Sequence, residues 1–238
     1  MFIERSMTNL NGTERAHHIQ SMFTRIAHRY DFMNRLMTGG QDGRWRREVI
    51  RLAQIKPSSA LLDLGTGTGD LAREALKQNP NAHIIAADFT LEMMRAGRRP
   101  GDPPYSAADA LNLPFEAAAF DAIISGFLMR NVTDVSGALK EQQRALKPGG
   151  RIVILDTTRP KKNLLTPFIW IHMHIIIPLL GKLISGTGDA YQYLPDSTEG
   201  FLYAEELAER MTAAGFKNVH FKRLMFGVIA IHWGERLL

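Results

Sequence analysis

The residues Asp63-Leu-Gly65-Thr-Gly67-Thr-Gly69-Asp70 decide how this chain of 238 residues is read. They stand between ALLDLG (60–65), an apolar run of strand length, and DLAREALKQ (70–78), whose spacing is helical. Glycine permits a tight turn and close backbone approach by a ligand, and ligands of open α/β sheets bind beyond the carboxyl ends of the strands. Outward from the loop, AHIIAAD (82–88) predicts a second strand, LEMMRAGRR (91–99) a helix, and PGDPP (100–104) a loop before a weak third strand near Tyr105–Ala108. FDAIIS (120–125) and GRIVILD (150–156) predict two further strands around a helix at 135–146. Strands alternating with helices in this way indicate a parallel sheet covered on both faces.

Both flanks depart from that alternation. Before the loop, Met22, Ile26, Tyr30 and Met33 recur at helical spacing, Thr38-Gly39-Gly40 breaks the pattern, and a second helix runs to about Gln54. After it, a helix at 204–214 leads through Gly215 to VHFKRL (219–224) and FGVIAIHW (226–233), a hairpin that predicts one antiparallel edge strand. The expected architecture is α/β: a Rossmann-like, seven-stranded, mostly parallel sheet with one antiparallel strand, the arrangement of class I methyltransferases. We expect a single domain over residues 1–238, with a helical cap at 1–56, a cofactor-binding core at 57–156, a substrate lid at 157–203 and the final helix and hairpin at 204–238.

Apolar residues make up 45% of the chain, enough for a full core, while a net charge of +5 favours acidic partners. The absence of cysteine excludes disulfides, thiolate nucleophiles and cysteine metal sites, and suits a reducing cytoplasm. MFIERSMTNLNGTERAHHIQ (1–20) has no apolar run after its first basic residue and does not read as a secretory signal. No metal is expected. His17 and His18 are adjacent and cannot share a helical face, and His172 and His174 are two apart.

The spacing of the glycine loop separates two cofactors. A nicotinamide dinucleotide needs GxGxxG, whereas here the third glycine comes one residue early and Asp63 precedes the first by two. A carboxylate at that position suits the ammonium of S-adenosylmethionine and would repel a pyrophosphate. Asp63, Gly65, Gly67, Thr68 and Gly69 are therefore cofactor-binding candidates. So is Asp88 at the end of the second strand, with Phe89 beside it, where a carboxylate can accept both ribose hydroxyls. Asp109 after the third strand can meet the adenine amine, and Asp70 reads equally well as a helix-capping charge.

YDFMNRLMTGGQDGRW (30–45), FLMRNVTD (127–134), RALKPGGRIVILDTTRP (144–160), DAYQYLPDS (189–197) and FGVIAIHWG (226–234) add a resemblance that runs from about residue 20 to the end. Together with the loop they resemble the C-methyltransferases of menaquinone and ubiquinone biosynthesis. The resemblance implies S-adenosyl-L-methionine as methyl donor, with contacts at Thr68, Asp88 and the pair Asp109-Ala110. A serine usual at the exit of the fourth strand falls at Gly126, with Ser125 one residue earlier. Asp42 stands where the family has histidine, a change of charge near the expected substrate mouth. The implied reaction is C-methylation of a reduced polyprenyl quinone, demethylmenaquinol to menaquinol in the first instance. Another small aromatic or lipid acceptor, or a non-catalytic S-adenosylmethionine-binding scaffold, is the alternative.

Methylating a quinol ring requires a phenolate to be stabilised, the ring to be held against the methyl group and water to be kept out. Arg130 and Asn131 follow the fourth strand and are the catalytic candidates, with arginine as the cation that lowers the hydroxyl's pKa rather than as a base. Arg130 as a structural ion-pair residue is the bland alternative. Tyr30, Asp31, Tyr191 and Gln192 are candidates for binding substrate, and His232, amid apolar residues, reads as a core histidine. Nucleic acid is not expected as a partner. Asp102-Pro103-Pro104-Tyr105 imitates an amino-methyltransferase motif but precedes the third strand instead of following the fourth. LLTPFIWIHMHIIIPLLG (164–181) is uncharged and flanked by lysines, yet Pro167, Pro178 and two histidines argue against a spanning helix. It reads as an apolar lid in peripheral contact with the inner face of a cell membrane, or as a buried core segment. A homo-oligomer is left open.

Overall fold

The computed structural model describes residues 12–161, 166–176, 179 and 197–237. Its elements begin with α1 (Gly12–Met37), α2 (Asp42–Ala53), β1 (Ala60–Leu64), α3 (Asp70–Gln78), β2 (His83–Asp88), α4 (Leu91–Gly97), β3 (Tyr105–Ala107) and β4 (Phe120–Gly126). They continue with α5 (Val135–Ala145), β5 (Leu146–Thr157), α6 (Thr166–Ile171), α7 (Ala204–Ala213), β6 (Phe216–Leu224) and β7 (Ile229–Arg236).

The sheet follows from strands that are apolar on both faces. Successive side chains of a strand point to opposite sides, so each central strand feeds two cores. On β4, Ile123 joins α5 and α7 residues such as Leu139 and Leu207, whereas Ala122 and Ile124 join Trp45 and Val49 of α2 and Ala72 of α3. β5 divides the same way, with Ile152 and Ile154 to one layer and Val153 and Leu155 to the other. Helix α2 is held by its buried stripe of Trp45, Val49, Ile50 and Ala53, while Arg44, Arg47 and Arg51 stay exposed. Full burial of a residue such as Val49 stabilises by about 1.5–3 kcal/mol, and a charge in its place would detach the helix from β4 and β5.

The seven strands lie in the order β3-β2-β1-β4-β5-β7-β6. All neighbours from β3 to β5 are parallel, and β7 is antiparallel to both β5 and β6. This corrects one expectation: the reversed strand is not at the edge. The connection from β5 through α7 delivers β6 one strand-width away, parallel to β5. The tight turn then returns β7 into the gap, and β6 forms the border. β5 also starts earlier than the glycines suggest. Leu146 already pairs with Phe120, and a register shift between Phe120 and Ala122 absorbs the Lys147–Gly150 turn.

The insertion after β5 is helical over Thr166–Ile171 and π-helical over His172–Ile176. Trp170 is 52% exposed and stacks on His174 at 4.8 Å, and Ile171, Ile175 and Ile176 are exposed as well. These residues are not the buried core segment that was one reading of 164–181. Among the described residues no helix is long and apolar enough to cross a membrane.

Candidate active site

The glycine loop folds back over β2. Gly65, Gly67 and Gly69 take φ values of +70°, +56° and +90°, and the N–H groups of Gly65 and Thr66 both donate to the Ala87 carbonyl, at 2.8 and 3.0 Å. Asp88 braces the turn: its Oδ2 accepts from the Gly67 N–H and its Oδ1 from the Thr90 N–H, each at 2.7 Å. Helix α4 closes against the loop because Gly97 has no side chain; a Cβ there would stand 2.1 Å from the Thr68 carbonyl oxygen. Nothing in the local pattern of LEMMRAGRR marked that glycine as a contact.

Asp63 lies beneath the loop rather than on a cavity wall. Its Oδ2 accepts from the Thr66 hydroxyl at 2.6 Å and from the Ala72 N–H at 2.9 Å, while its Oδ1 has no hydrogen-bond partner. Burial pushes this carboxyl up to about 7. Burial raises the Asp88 carboxyl too, against the backbone N–H groups of Thr90, Gly67 and Phe89 that favour its charge.

A cavity of about 340 Å³ opens above the carboxyl ends of β1, β2 and β4, at the point where strand order reverses. Gly65, Gly67, Asp88 and Phe89 line it, and Asp109 and Ala110 line it on the β3 side. Asp109 Oδ1 accepts from the Leu111 N–H at 2.9 Å, an Asx turn that fixes the carboxylate at the rim. Of the neighbouring pair on β4, Gly126 lines the cavity and Ser125 faces the core, its hydroxyl without a partner. Thr68 and Gly69 do not line it. Ile19, Gln20 and Phe23 of α1 form the wall that was not foreseen, tied down by the bond from Gln20 Nε2 to the Phe89 carbonyl at 3.3 Å.

The turn after β4 separates the two catalytic candidates. Asn131 reaches the cavity wall together with Phe127 and Leu128, and its Nδ2 donates to the Phe127 carbonyl at 3.0 Å. Arg130 does not. Its guanidinium donates to Asp156 Oδ1 at 2.7 Å in an ion pair whose side chains are 3% and 1% exposed, and it lies 5.0 Å from the centre of the Phe127 ring. A buried ion pair holds Arg130 behind this wall.

Among the substrate candidates, Asp31 accepts the Thr68 hydroxyl at 2.5 Å and links α1 to the glycine loop. Burial raises its carboxyl. The Tyr30 side chain, Tyr191 and Gln192 lie outside the described residues. Asp42 does not alter the charge of a substrate mouth: it is buried and paired with Arg46 at 2.7 Å, and Arg46 reaches on to Asp70. Asp70 therefore serves a structural chain that includes Arg73 and Asp102. Asp102 also accepts the Tyr105 hydroxyl at 2.9 Å, so the Asp-Pro-Pro-Tyr segment is a loop clamp. His232 is a core histidine, its Nε2 2.8 Å from the Ala204 carbonyl and its pKa pushed down to about 4 by burial. Among the described residues no cluster of three or more potential metal ligands occurs.

A mostly parallel seven-stranded sheet with β7 reversed, carrying its cavity over a glycine loop at the switch point, defines a class I S-adenosylmethionine-dependent methyltransferase. A SAM-dependent methyltransferase of Thermotoga maritima, described as a possible histamine N-methyltransferase, shares this fold with a TM-score of 0.63 at 20% identity, over 92% of this chain and all of its own. The ubiE/COQ5 methyltransferase family matches residues 7–236. The ubiquinone/menaquinone biosynthesis C-methyltransferase UbiE of Desulfotalea psychrophila is 45% identical over 92% of this chain and 90% of its own length. The demethylmenaquinone methyltransferase of Thermus thermophilus is 44% identical over 90% of this chain and 100% of its own. The chain belongs to the ubiE/COQ5 methyltransferase family and is an S-adenosylmethionine-dependent C-methyltransferase.

Proposed function

We propose that this enzyme methylates a ring carbon of a reduced polyprenyl quinone, converting demethylmenaquinol to menaquinol. One observation carries the reading beyond the relatives: a single cavity joins the carboxylates of Asp88 and Asp109 on one side to an apolar wall with one amide, Phe127, Leu128 and Asn131, on the other. The first side suits a ribose and an adenine amine. The second suits a flat, largely apolar ring with hydroxyl groups.

The donor sulfonium supplies an electrophilic methyl group. Asp88 and Asp109 would hold the polar parts of the donor by accepting hydrogen bonds. The unpartnered Oδ1 of Asp63 fits a cationic group nearby, acting from behind the loop. On the acceptor side, the Asn131 amide orients a ring hydroxyl, whose proton passes to water. The ring carbon then takes the methyl as the carbon–sulfur bond breaks, and afterwards releases its own proton. Ile19 and Phe23 of α1 exclude bulk water from that step.

The acceptor's isoprenoid tail needs an apolar path. We read the exposed Trp170, Ile171, Ile175 and Ile176 as a peripheral contact with a bilayer that holds such tails. Labelled S-adenosylmethionine incubated with a panel of reduced naphthoquinones and benzoquinones tests the function. Transfer to a demethylnaphthoquinol above all others is expected, and no transfer to any reduced quinone refutes it.

A further inference from the structure

Phe127 is a bulky residue in a backbone conformation that favours glycine. Its φ is +59°, although Gly126 immediately before it could take a left-handed turn without strain. Such a conformation persists only where the surroundings over-determine it. Here three contacts do. The Phe127 N–H donates to the Leu155 carbonyl at 2.7 Å, its carbonyl accepts from Asn131 Nδ2 at 3.0 Å, and the Arg130 guanidinium lies 5.0 Å from the ring centre. Arg130 is in turn pinned by Asp156, whose Oδ2 also accepts the Arg130 backbone N–H at 3.3 Å and whose Oδ1 accepts the Thr157 N–H at 2.7 Å. The outcome of all this is a half-buried aromatic ring on the cavity wall, beside the amide of Asn131.

We propose that Phe127 is a substrate-contacting residue, the flat face against which the acceptor ring rests. Arg130 and Asp156 are positioning residues that act through it. This rests on the quinol reading above. An aromatic wall suits a planar acceptor because offset ring contacts add to simple burial. A guanidinium beside the same ring draws on its electron density and makes it a better neighbour for an electron-rich phenolate. The buried ion pair thus influences the acceptor without touching it, which accounts for an arginine next to the site yet behind its wall.

Phe127→Leu and Phe127→Tyr separate the ring from the strain, since both keep a non-glycine residue at the same φ. Calorimetry with S-adenosylmethionine and steady-state kinetics with a reduced demethylnaphthoquinol are the measurements. Phe127→Leu is expected to bind the cofactor within about twofold of wild type while kcat/KM for the quinol falls by about fivefold to tenfold, chiefly through KM for the quinol. Phe127→Tyr restores most of that loss. An unchanged kcat/KM in Phe127→Leu overturns the proposal, and so does a parallel loss of cofactor affinity, which would assign the ring to the donor side. A wild-type enzyme inactive on every reduced quinone overturns the acceptor reading and this proposal together, whereas an active wild type with an indifferent Phe127→Leu overturns this one alone.

Discussion

Replacing Asp63 by asparagine tests whether the loop carries a buried carboxyl held near neutrality. The native pKa is raised from 3.8 to about 7, roughly three units. Each unit is worth about 1.4 kcal/mol of differential stabilisation, so the ceiling is about 4 kcal/mol. The native state keeps a proton that the unfolded chain releases between about pH 4 and 7, so this group makes stability fall as pH rises across that window. The wild-type curve alone would not reveal it. His232, depressed from 6.5 to about 4, acts with the opposite sign between those values, and the raised carboxyls of Asp31 and Asp88 add to the same trend as Asp63. The difference between wild type and Asp63→Asn cancels the other groups. Asparagine keeps an acceptor for Thr66 and Ala72, the two partners of Oδ2. Urea unfolding should find the variant more stable at pH 8 by up to a few kcal/mol, with the gap closing towards pH 4 and an unchanged m value. The same variant should bind S-adenosylmethionine more weakly at pH 8, having lost a buried charge that acts on the donor's ammonium from behind the loop. A stability gap independent of pH, or a variant less stable at pH 8, would refute the reasoning.

Three further outcomes are expected. Asp88→Ala should weaken cofactor binding by roughly 1.5–3 kcal/mol, because charge-assisted hydrogen bonds to the ribose are lost; calorimetry giving wild-type affinity would misplace the ribose. Arg130→Lys should leave cofactor affinity alone but lower kcat/KM for the quinol by about threefold to fivefold, chiefly through KM, as the planar fork that positions Phe127 is lost. An unchanged kcat/KM in that variant would make the ion pair with Asp156 purely structural. Ile175→Glu combined with Ile176→Glu should reduce co-sedimentation with anionic vesicles while methylation of a short-tailed quinol continues, and vesicle binding equal to wild type would remove the bilayer contact.

What could be read in advance was local. Asp63–Asp70 announces its turn because the glycines, the strand before them and the helix after them are contiguous, and Asp88 is found by counting along one βαβ unit. The pairing of Asp42 with Arg46 was also within reach, since the two are four apart on one helix. The place of β7 was not. A tight hairpin specifies that β6 and β7 pair, but which of them borders β5 depends on where α7 sets β6 down. The α1 wall was hidden for a related reason. Ile19 and Phe23 interleave with Met22 and Ile26, and only the docked position of the helix makes the first pair a cavity wall and the second a core.

Arg130 and Phe127 show a different limit. The ion pair joins residues from the ends of two adjacent parallel strands, 26 positions apart. A usable signal was present: Asp156 ends the apolar run GRIVILD beside the strand whose exit carries Arg130, where a lone carboxylate needs a partner. The left-handed backbone of Phe127 had no such signal, since residue preference argues against it there. Local rules fail where the fold spends stability on a fixed geometry, and they fail here at a ring on the cavity wall. The strain at Phe127 and the burial of Arg130 with its partner Asp156 are two costs that meet at one turn. A loop that only connected β4 to α5 would need neither. Their coincidence beside Asn131 is therefore an argument that this turn is shaped by what it must hold.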